Sequence, residues 1–231
     1  MDPDTQQSND ALESGAMFSK PRVEAFSDGV FAVAITLLVL DIKVPEGLAR
    51  GALLPALLST SLAIQYLAYA VSFLTIGVMW VNHHRLMATV RVVDHGLLYR
   101  NIFLLAIVSF IPFPTSILST YANGEAAGGG NLQAAAGLYG ASMVLLSVAF
   151  TLMWGQVNFN PKLRQPWVNP AAIRRDLVKS ASAIVIFGVA AALTLVTPII
   201  SLTIYTVVII AIAAVRPKRL KRPKYKRTAT S

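Results

Sequence analysis

The stretch Arg22 to Lys43, RVEAFSDGVFAVAITLLVLDIK, is a long apolar run that carries Ser27 and Asp28 near its start. If either residue capped the helix, about 14 residues would remain, spanning about 21 Å against a hydrocarbon core of about 30 Å. A start near Arg22, with Ser19 as N-cap and Pro21 in the first turn, gives the length to cross. The sequence therefore predicts a transmembrane helix that takes Ser27 and Asp28 into the membrane, where a charge indicates function.

The rest of the chain predicts further spans. Of its 231 residues 55% are hydrophobic and 13% charged, and the charges lie in clusters. Charge-free runs at 51–81, 101–123, 126–161 and 180–215 each exceed the about 20 residues that a span needs. The last run is interrupted at Thr197–Pro198 and predicts two helices. We expect an all-α integral membrane protein with six transmembrane helices, at about 22–42, 54–82, 97–119, 132–158, 178–196 and 198–215.

Basic residues predict the orientation, because Lys and Arg near helix ends stay on the cytoplasmic side. With six spans and the N-terminus inside, Lys43 and Arg50 alone among the 20 basic residues lie outside. We therefore expect both termini in the cytoplasm and a multi-pass protein of the cell (plasma) membrane. Residues 1–19 predict a disordered acidic arm, 20–215 the six-helix domain, and 216–231 a basic tail that contacts anionic lipid rather than nucleic acid.

Other classes of function lack their motifs. The chain has no cysteine, which excludes a disulfide scaffold and a thiolate metal site or nucleophile. Asp28, His83 and His84 stand in no HExxH or GxSxG setting. We predict no enzyme, no catalytic residue, no metal site and no cofactor.

The first helix has two different faces. At about 100° per residue, Val33, Leu37 and Leu40 fall within a sector of about 60°, and Ser27 and Asp28 point elsewhere. The periodicity leaves two interpretations of the apolar stripe, a lipid-facing or packing surface and the lining of a pore. Ser27 and Asp28 are expected to tie this helix to its neighbours.

Two blocks of sequence carry a family resemblance. The first is Arg22-x-x-x-Phe26-Ser27-Asp28 before the apolar run; the second is Trp80-x-x-His83-x-Arg85-Leu86, followed by Asp94, Asn101 and Phe110-x-Pro112. Together they resemble the transmembrane protein 175 family, potassium-permeable channels of bacterial membranes and animal endolysosomes. The resemblance covers about Arg22 to Pro112.

This resemblance implies a homotetrameric potassium-permeable channel whose pore is lined by the first helix of each chain. Val33, Leu37 and Leu40 would form the constriction, Thr36 a pore-adjacent hydroxyl, and permeant potassium and other monovalent cations would be the partners. Val33 stands where the family often has isoleucine or leucine, so we expect a modest preference for potassium over sodium. Since the chain has no TVGYG filter, apolar rings would have to select and gate.

The resemblance also implies a polar network between helices, formed by Arg22, Phe26, Ser27, Asp28, Trp80, His83 and Asn101. Asp41 lies near the outer end of the first helix, about 80° from the stripe at about 100° per residue. It is expected either to attract cations at the outer mouth or to pair with Lys43. The alternative function is a secondary transporter or proton pathway that uses Asp28 and His83.

Overall fold

The computed structural model describes residues 18–122 and 130–214, which are almost entirely helical. Within them, the strand-like pairing consists of isolated bridges between Phe18 and Val93 and between Val90 and Arg164. The α-helices are α1 (Lys20–Leu37), α2 (Leu53–Leu57), α3 (Thr60–Thr89), α4 (His95–Phe110), α5 (Pro112–Tyr121), α6 (Asn131–Phe159), α7 (Pro170–Leu193) and α8 (Pro198–Ala214), and 3-10 turns cover Leu38–Asp41 and Pro161–Leu163.

Five continuous stretches among the described residues are long and apolar enough to cross a membrane, namely Lys20–Asp41, Thr60–Thr89, His95–Tyr121, Asn131–Phe159 and Pro170–Leu193. The apolar helix α8 is shorter, with 17 residues. At about 1.5 Å per residue it extends about 26 Å, the lower end of the length that a span needs. The predicted helix break at Thr197–Pro198 is confirmed, since α7 ends at Leu193 and α8 begins at Pro198.

The second predicted helix, 54–82, had wrong boundaries at both ends. Residues Leu53–Leu57 form a separate short helix, and α3 begins only at Thr60. Ser59 causes this start, because its hydroxyl accepts a hydrogen bond from the backbone N–H of Leu62 at 3.3 Å. At the other end α3 continues to Thr89, so His83 lies inside a helix.

The fifth helix also begins earlier than the expected residue 178. Asn169 caps α7 by accepting a hydrogen bond from the backbone N–H of Ala171 at 2.8 Å, and Pro170 occupies the first turn. As a result, Arg174, Arg175 and Asp176 lie on the helix rather than in a loop.

Helix α6 lies at the centre of the described domain and packs against α4, α5, α7 and α8. Helix α1 lies to one side, where it packs against α3 and α4 and more lightly against α5. The central helix is buried along most of its length, including Tyr139, Met143, Phe150 and Trp154. This arrangement leaves one long side of α1 without a neighbour in the described chain.

Three segments lie outside the described residues, namely 1–17, 123–129 and 215–231. The first contains most of the expected acidic arm, and the last contains the expected basic tail. The predicted limits of the arm and the tail stay predictions.

Candidate functional site

One face of α1 is buried against the rest of the chain. Its buried positions recur every three or four residues, which is the period of one helix face: Val23, Ser27, Phe31, Ala34 and, in the turn that follows, Leu38. This face therefore fixes how α1 sits on α3 and α4.

The opposite face of α1 is exposed in the single chain. The side chains of Val33, Leu37 and Leu40 are 58%, 43% and 75% exposed. Thr36 is exposed beside them, and its hydroxyl donates to the backbone carbonyls of Ala32 and Val33. The stripe that the periodicity predicted is thus a continuous apolar surface which the described chain does not cover.

The end of this segment differs from the expected continuous α-helix to residue 42. The chain tightens into a 3-10 turn over Leu38–Asp41, in which residues three apart lie in register. Leu40 therefore stacks on Leu37, and Asp41 aligns with Leu38, which is fully buried. The turn moves Asp41 away from the apolar stripe.

The carboxylate of Asp41 has an unusual environment. Its Oδ2 atom is buried and has no hydrogen-bond partner among the described residues. Among the described residues, Asp41 and Lys43 do not form an ion pair. The role of Asp41 at an outer mouth stays a prediction.

A directed chain of hydrogen bonds joins three helices behind the apolar stripe. The Ser27 hydroxyl donates to the Val23 carbonyl at 2.8 Å, so its oxygen accepts from Nδ2 of Asn101 at 2.9 Å. The Oδ1 atom of Asn101 is then the acceptor for Nε2 of His83 at 2.8 Å, which means that this nitrogen carries a proton. All four residues are buried. The chain of bonds fixes α1 to α4 and α4 to α3.

Asp28 makes a separate contact. Its Oδ1 accepts a hydrogen bond from the indole Nε1 of Trp80 at 2.8 Å. Asp28 is exposed and Trp80 is 42% exposed, and the indole lies 6.1 Å from the His84 ring between centroids. Asp28 therefore ties α1 to α3 but does not join the Ser27 chain.

Two members of the expected network are not brought into it. The side chain of Arg22 is exposed and makes no ion pair or hydrogen bond within the described residues. Phe26 is 62% exposed. Their roles stay predictions, and in a single chain both side chains are free to contact lipid or another subunit.

Two residues that contact members of these helix ties, Phe31 and Gln156, were not predicted from the sequence. Phe31 is buried and packs on His83, with ring centroids 5.5 Å apart. Gln156 on α6 donates to Oδ2 of Asp94 at 2.8 Å, and Oδ1 of the same carboxylate caps α4 through the N–H of Leu97. The pattern Asp94-x-x-Leu97 signals the cap, whereas no local pattern signals a partner 62 residues away.

The described residues contain no group of three or more His, Asp or Glu side chains that could hold a metal ion. What they contain is a helix with an apolar outer face and a hydrogen-bonded inner face. Fold and site together define a multi-pass helical membrane protein.

Comparison with known proteins gives the family. Residues 22–112 match the family model described as endosomal/lysosomal potassium channel TMEM175. The chain is 42% identical over 160 residues to a potassium channel of Streptomyces collinus, an alignment that covers 69% of this chain and 75% of the relative. It is 45% identical over 135 residues to a potassium channel of Chamaesiphon minutus, covering 58% and 63%.

A solved structure agrees with these matches. The crystal structure of a lysosomal potassium-selective channel TMEM175 homologue from Chamaesiphon minutus is 34% identical, with a TM-score of 0.71, over 84% of this chain and 96% of that one. The chain belongs to the TMEM175 family, and the resemblance predicted from its two sequence blocks is confirmed.

Proposed function

We propose that this protein is a potassium-permeable cation channel in which four copies of α1 surround a pore. Val33 and Leu37 form the constriction, Leu40 a further apolar ring, and Thr36 a hydroxyl beside it. The observation that carries the proposal is the exposed apolar face of α1, with Val33 58% and Leu37 43% exposed.

The way α1 is held supports this assignment. A pore-lining helix has to keep a fixed rotation, and here buried hydrogen bonds from Ser27 to Asn101 and from Asn101 to His83 hold its rear face. The relatives named potassium channels, which include one of Chryseobacterium at 36% identity, support potassium as the permeant ion.

Apolar rings select by a different device from carbonyl oxygens. They offer no ligands to replace ion hydration, so an ion crosses either partly stripped of water or when the rings widen and wet. Potassium loses its water at a lower cost than sodium, and this favours potassium modestly. Drying of the same rings would close the path.

The topology that goes with this function has six spans, with α8 as the sixth and both termini in the cytoplasm. Residues 20–215 form the channel domain of a plasma-membrane protein, between the arm at 1–19 and the basic tail at 216–231, which lies on anionic lipid. The distribution of Lys and Arg supports this orientation.

Planar-bilayer recording of the purified protein under bi-ionic conditions tests the function. With potassium on one side and sodium on the other, we expect current without any other solute and a reversal potential that favours potassium. A current that needs a second solute gradient, or no current in a well-folded preparation, would reject the channel.

A proton pathway through Asp28 and His83 is the second candidate, because the animal relatives are named endosomal/lysosomal proton channels, here human at 40% identity over 112 residues. That alignment covers only 22% of the human protein. The geometry argues against a relay through these residues, since Asp28 bonds to Trp80 and the His83 chain ends at the Val23 carbonyl, which has no proton to pass on.

The substitution Asp28→Asn separates the two candidates. Asparagine keeps an oxygen that accepts from Trp80 but cannot ionise. The channel proposal expects unchanged potassium current and assembly, with Asp28→Ala as the damaging variant. Loss of a proton flux in Asp28→Asn, with folding intact, would favour the proton pathway.

A further inference from the structure

An open groove of about 290 Å³ lies between α3, α6, α7 and α8, away from α1. One end carries charged side chains, namely Arg85 on α3 with Asp176 and Lys179 on α7. The remainder is lined mainly by apolar side chains such as Phe150, Ile186, Phe187, Val208 and Ile212. None of these apolar residues takes part in the hydrogen-bonded chain of Ser27, Asn101 and His83 behind the apolar stripe of α1.

The charged end of the groove has an excess of positive charge. Asp176 faces Arg85 Nη2 at 3.5 Å and Lys179 Nζ at 4.0 Å, so one carboxylate serves two cations. Both separations exceed the about 2.7–2.9 Å of a charge-assisted hydrogen bond. The two cationic side chains are 35% and 59% exposed, which leaves donors free for an anion.

Ile186, in the apolar part of the groove, lies about two turns further along α7 than Lys179. Lys179 and Ile186 are seven residues apart, which places them about 10 Å apart along the axis at about 1.5 Å per residue. Ile186 is 44% exposed, so the groove is open along its side. Since these helices are membrane spans, the cations belong at the interface and the apolar wall at the depth of lipid tails.

We propose that this groove binds an anionic phospholipid. The headgroup phosphate lies on the exposed side of Arg85 and Lys179, where it accepts from donors that Asp176 leaves free, and an acyl chain lies against Ile186, Phe187 and Val208. Charge at one end and an apolar wall at membrane depth match the two parts of a phospholipid, whereas a soluble anion would use the first alone. The site involves neither the pore stripe nor ion permeation.

The test measures lipid retention on the full-length protein in detergent. Native mass spectrometry would follow binding of phosphatidylglycerol and of phosphatidylcholine at equal concentration. We expect wild type to prefer phosphatidylglycerol. In the double variant Arg85→Gln/Lys179→Gln, the ratio of bound phosphatidylglycerol to bound phosphatidylcholine should fall roughly tenfold. The control Arg174→Gln/Arg175→Gln removes two exposed cations of α7 that do not line the groove, and should keep the preference.

A second pair of variants tests the apolar wall without changing charge. Ala183 lines the groove, so Ala183→Phe should obstruct the acyl chain and lower phosphatidylglycerol binding. Val185, which is 65% exposed and does not line the groove, provides the control Val185→Phe.

Three results would overturn the site. One is equal retention of the two lipids by wild type, and another is equal loss in the groove and control variants. The third is competition by inorganic phosphate as strong as that by phosphatidylglycerol, which would reduce the site to a soluble-anion contact.

Discussion

At the scale of single residues, the Ser27 hydroxyl group is shared by two helices. It donates within α1 to Val23 and accepts from Asn101 of α4, at a position that is fully buried. Removing it leaves an amide N–H of Asn101 without an acceptor inside the protein. Such groups are costly to leave unpaired, and bonds between membrane helices contribute about 0.6 kcal/mol on average.

We predict that Ser27→Ala lowers the free energy of unfolding by about 1 kcal/mol and the apparent melting temperature by about 2 to 4 °C. Size-exclusion chromatography after heating in detergent measures this change. The matched control is Ser109→Ala, because the exposed Ser109 hydroxyl donates only within its own helix to Ala106. Equal melting temperatures for the two variants would show that the Ser27 bond adds nothing.

Sequence alone identified some of these residues better than others. The period of the helix was enough to put Val33, Leu37 and Leu40 on one face. It treated Ser27 and Asp28 alike, as groups that tie the helix to its neighbours, whereas Ser27 is buried and Asp28 is exposed. Neighbouring residues point about 100° apart, and packing against α4 decides which of them is buried. Asn101 was named through family resemblance, and Phe31 was missed because a buried phenylalanine has no pattern of its own.

At the scale of helices, α8 approaches the central helix α6 closely at a glycine. An added Cβ at Gly140 would overlap the Tyr205 hydroxyl and lie 2.8 Å from Tyr205 Cζ and 3.0 Å from Ala191 Cβ. The Tyr205 side chain is 1% exposed, and its hydroxyl is buried without a hydrogen-bond partner among the described residues. Gly140 therefore permits the close contact between α6 and Tyr205 of α8, which also packs against α3 and α7.

We predict that Gly140→Ala destabilises the protein by about 1 to 3 kcal/mol, through overpacking between α6 and α8. The melting temperature should fall by about 3 to 10 °C in the same heating assay. Gly155→Ala is the control on the same helix, where the nearest atom is Phe159 Cε2 at 4.0 Å. Because alanine favours helices, this control should be neutral or slightly stabilising. A Gly140→Ala protein as stable as the control would contradict the packing argument.

Helix boundaries were predicted well where the sequence has clear markers and poorly elsewhere. Thr197–Pro198 correctly divided α7 from α8. Asn169–Pro170 was an available start signal for α7, but the charges that follow it favoured a loop. The 3-10 turn at Leu38–Asp41 has no glycine or proline to mark it, and it depends on contacts with α3 and α5.

At the scale of the whole molecule, the proposed topology puts the loop after α1 and the loop after α6 on opposite sides of the membrane. The first contains Glu46 and the second contains Trp167, and both side chains are exposed. Since the chain has no cysteine, a single introduced thiol reports its side without interference.

We predict that Glu46→Cys reacts with a membrane-impermeant maleimide in intact cells and that Trp167→Cys reacts only after permeabilisation. Three spans, Thr60–Thr89, His95–Tyr121 and Asn131–Phe159, separate the two loops. The first loop is placed outside because this orientation keeps all of the 20 basic residues except Lys43 and Arg50 in the cytoplasm. Labelling of both cysteines from the same side would contradict the six-span topology.

The central claim is that the apolar face of α1 lines an aqueous ion path. Its most direct test is thiol modification during bilayer recording of Leu37→Cys, with a small charged methanethiosulfonate reagent. The control is Val39→Cys, which is similarly exposed at 51% in the single chain but points to the other side of the segment, two residues on. We predict that the reagent strongly changes the potassium current of Leu37→Cys and leaves that of Val39→Cys unaltered. An unmodified current in Leu37→Cys, with the cysteine shown to be reactive in denatured protein, would place this face in lipid or at a dry interface and contradict the account.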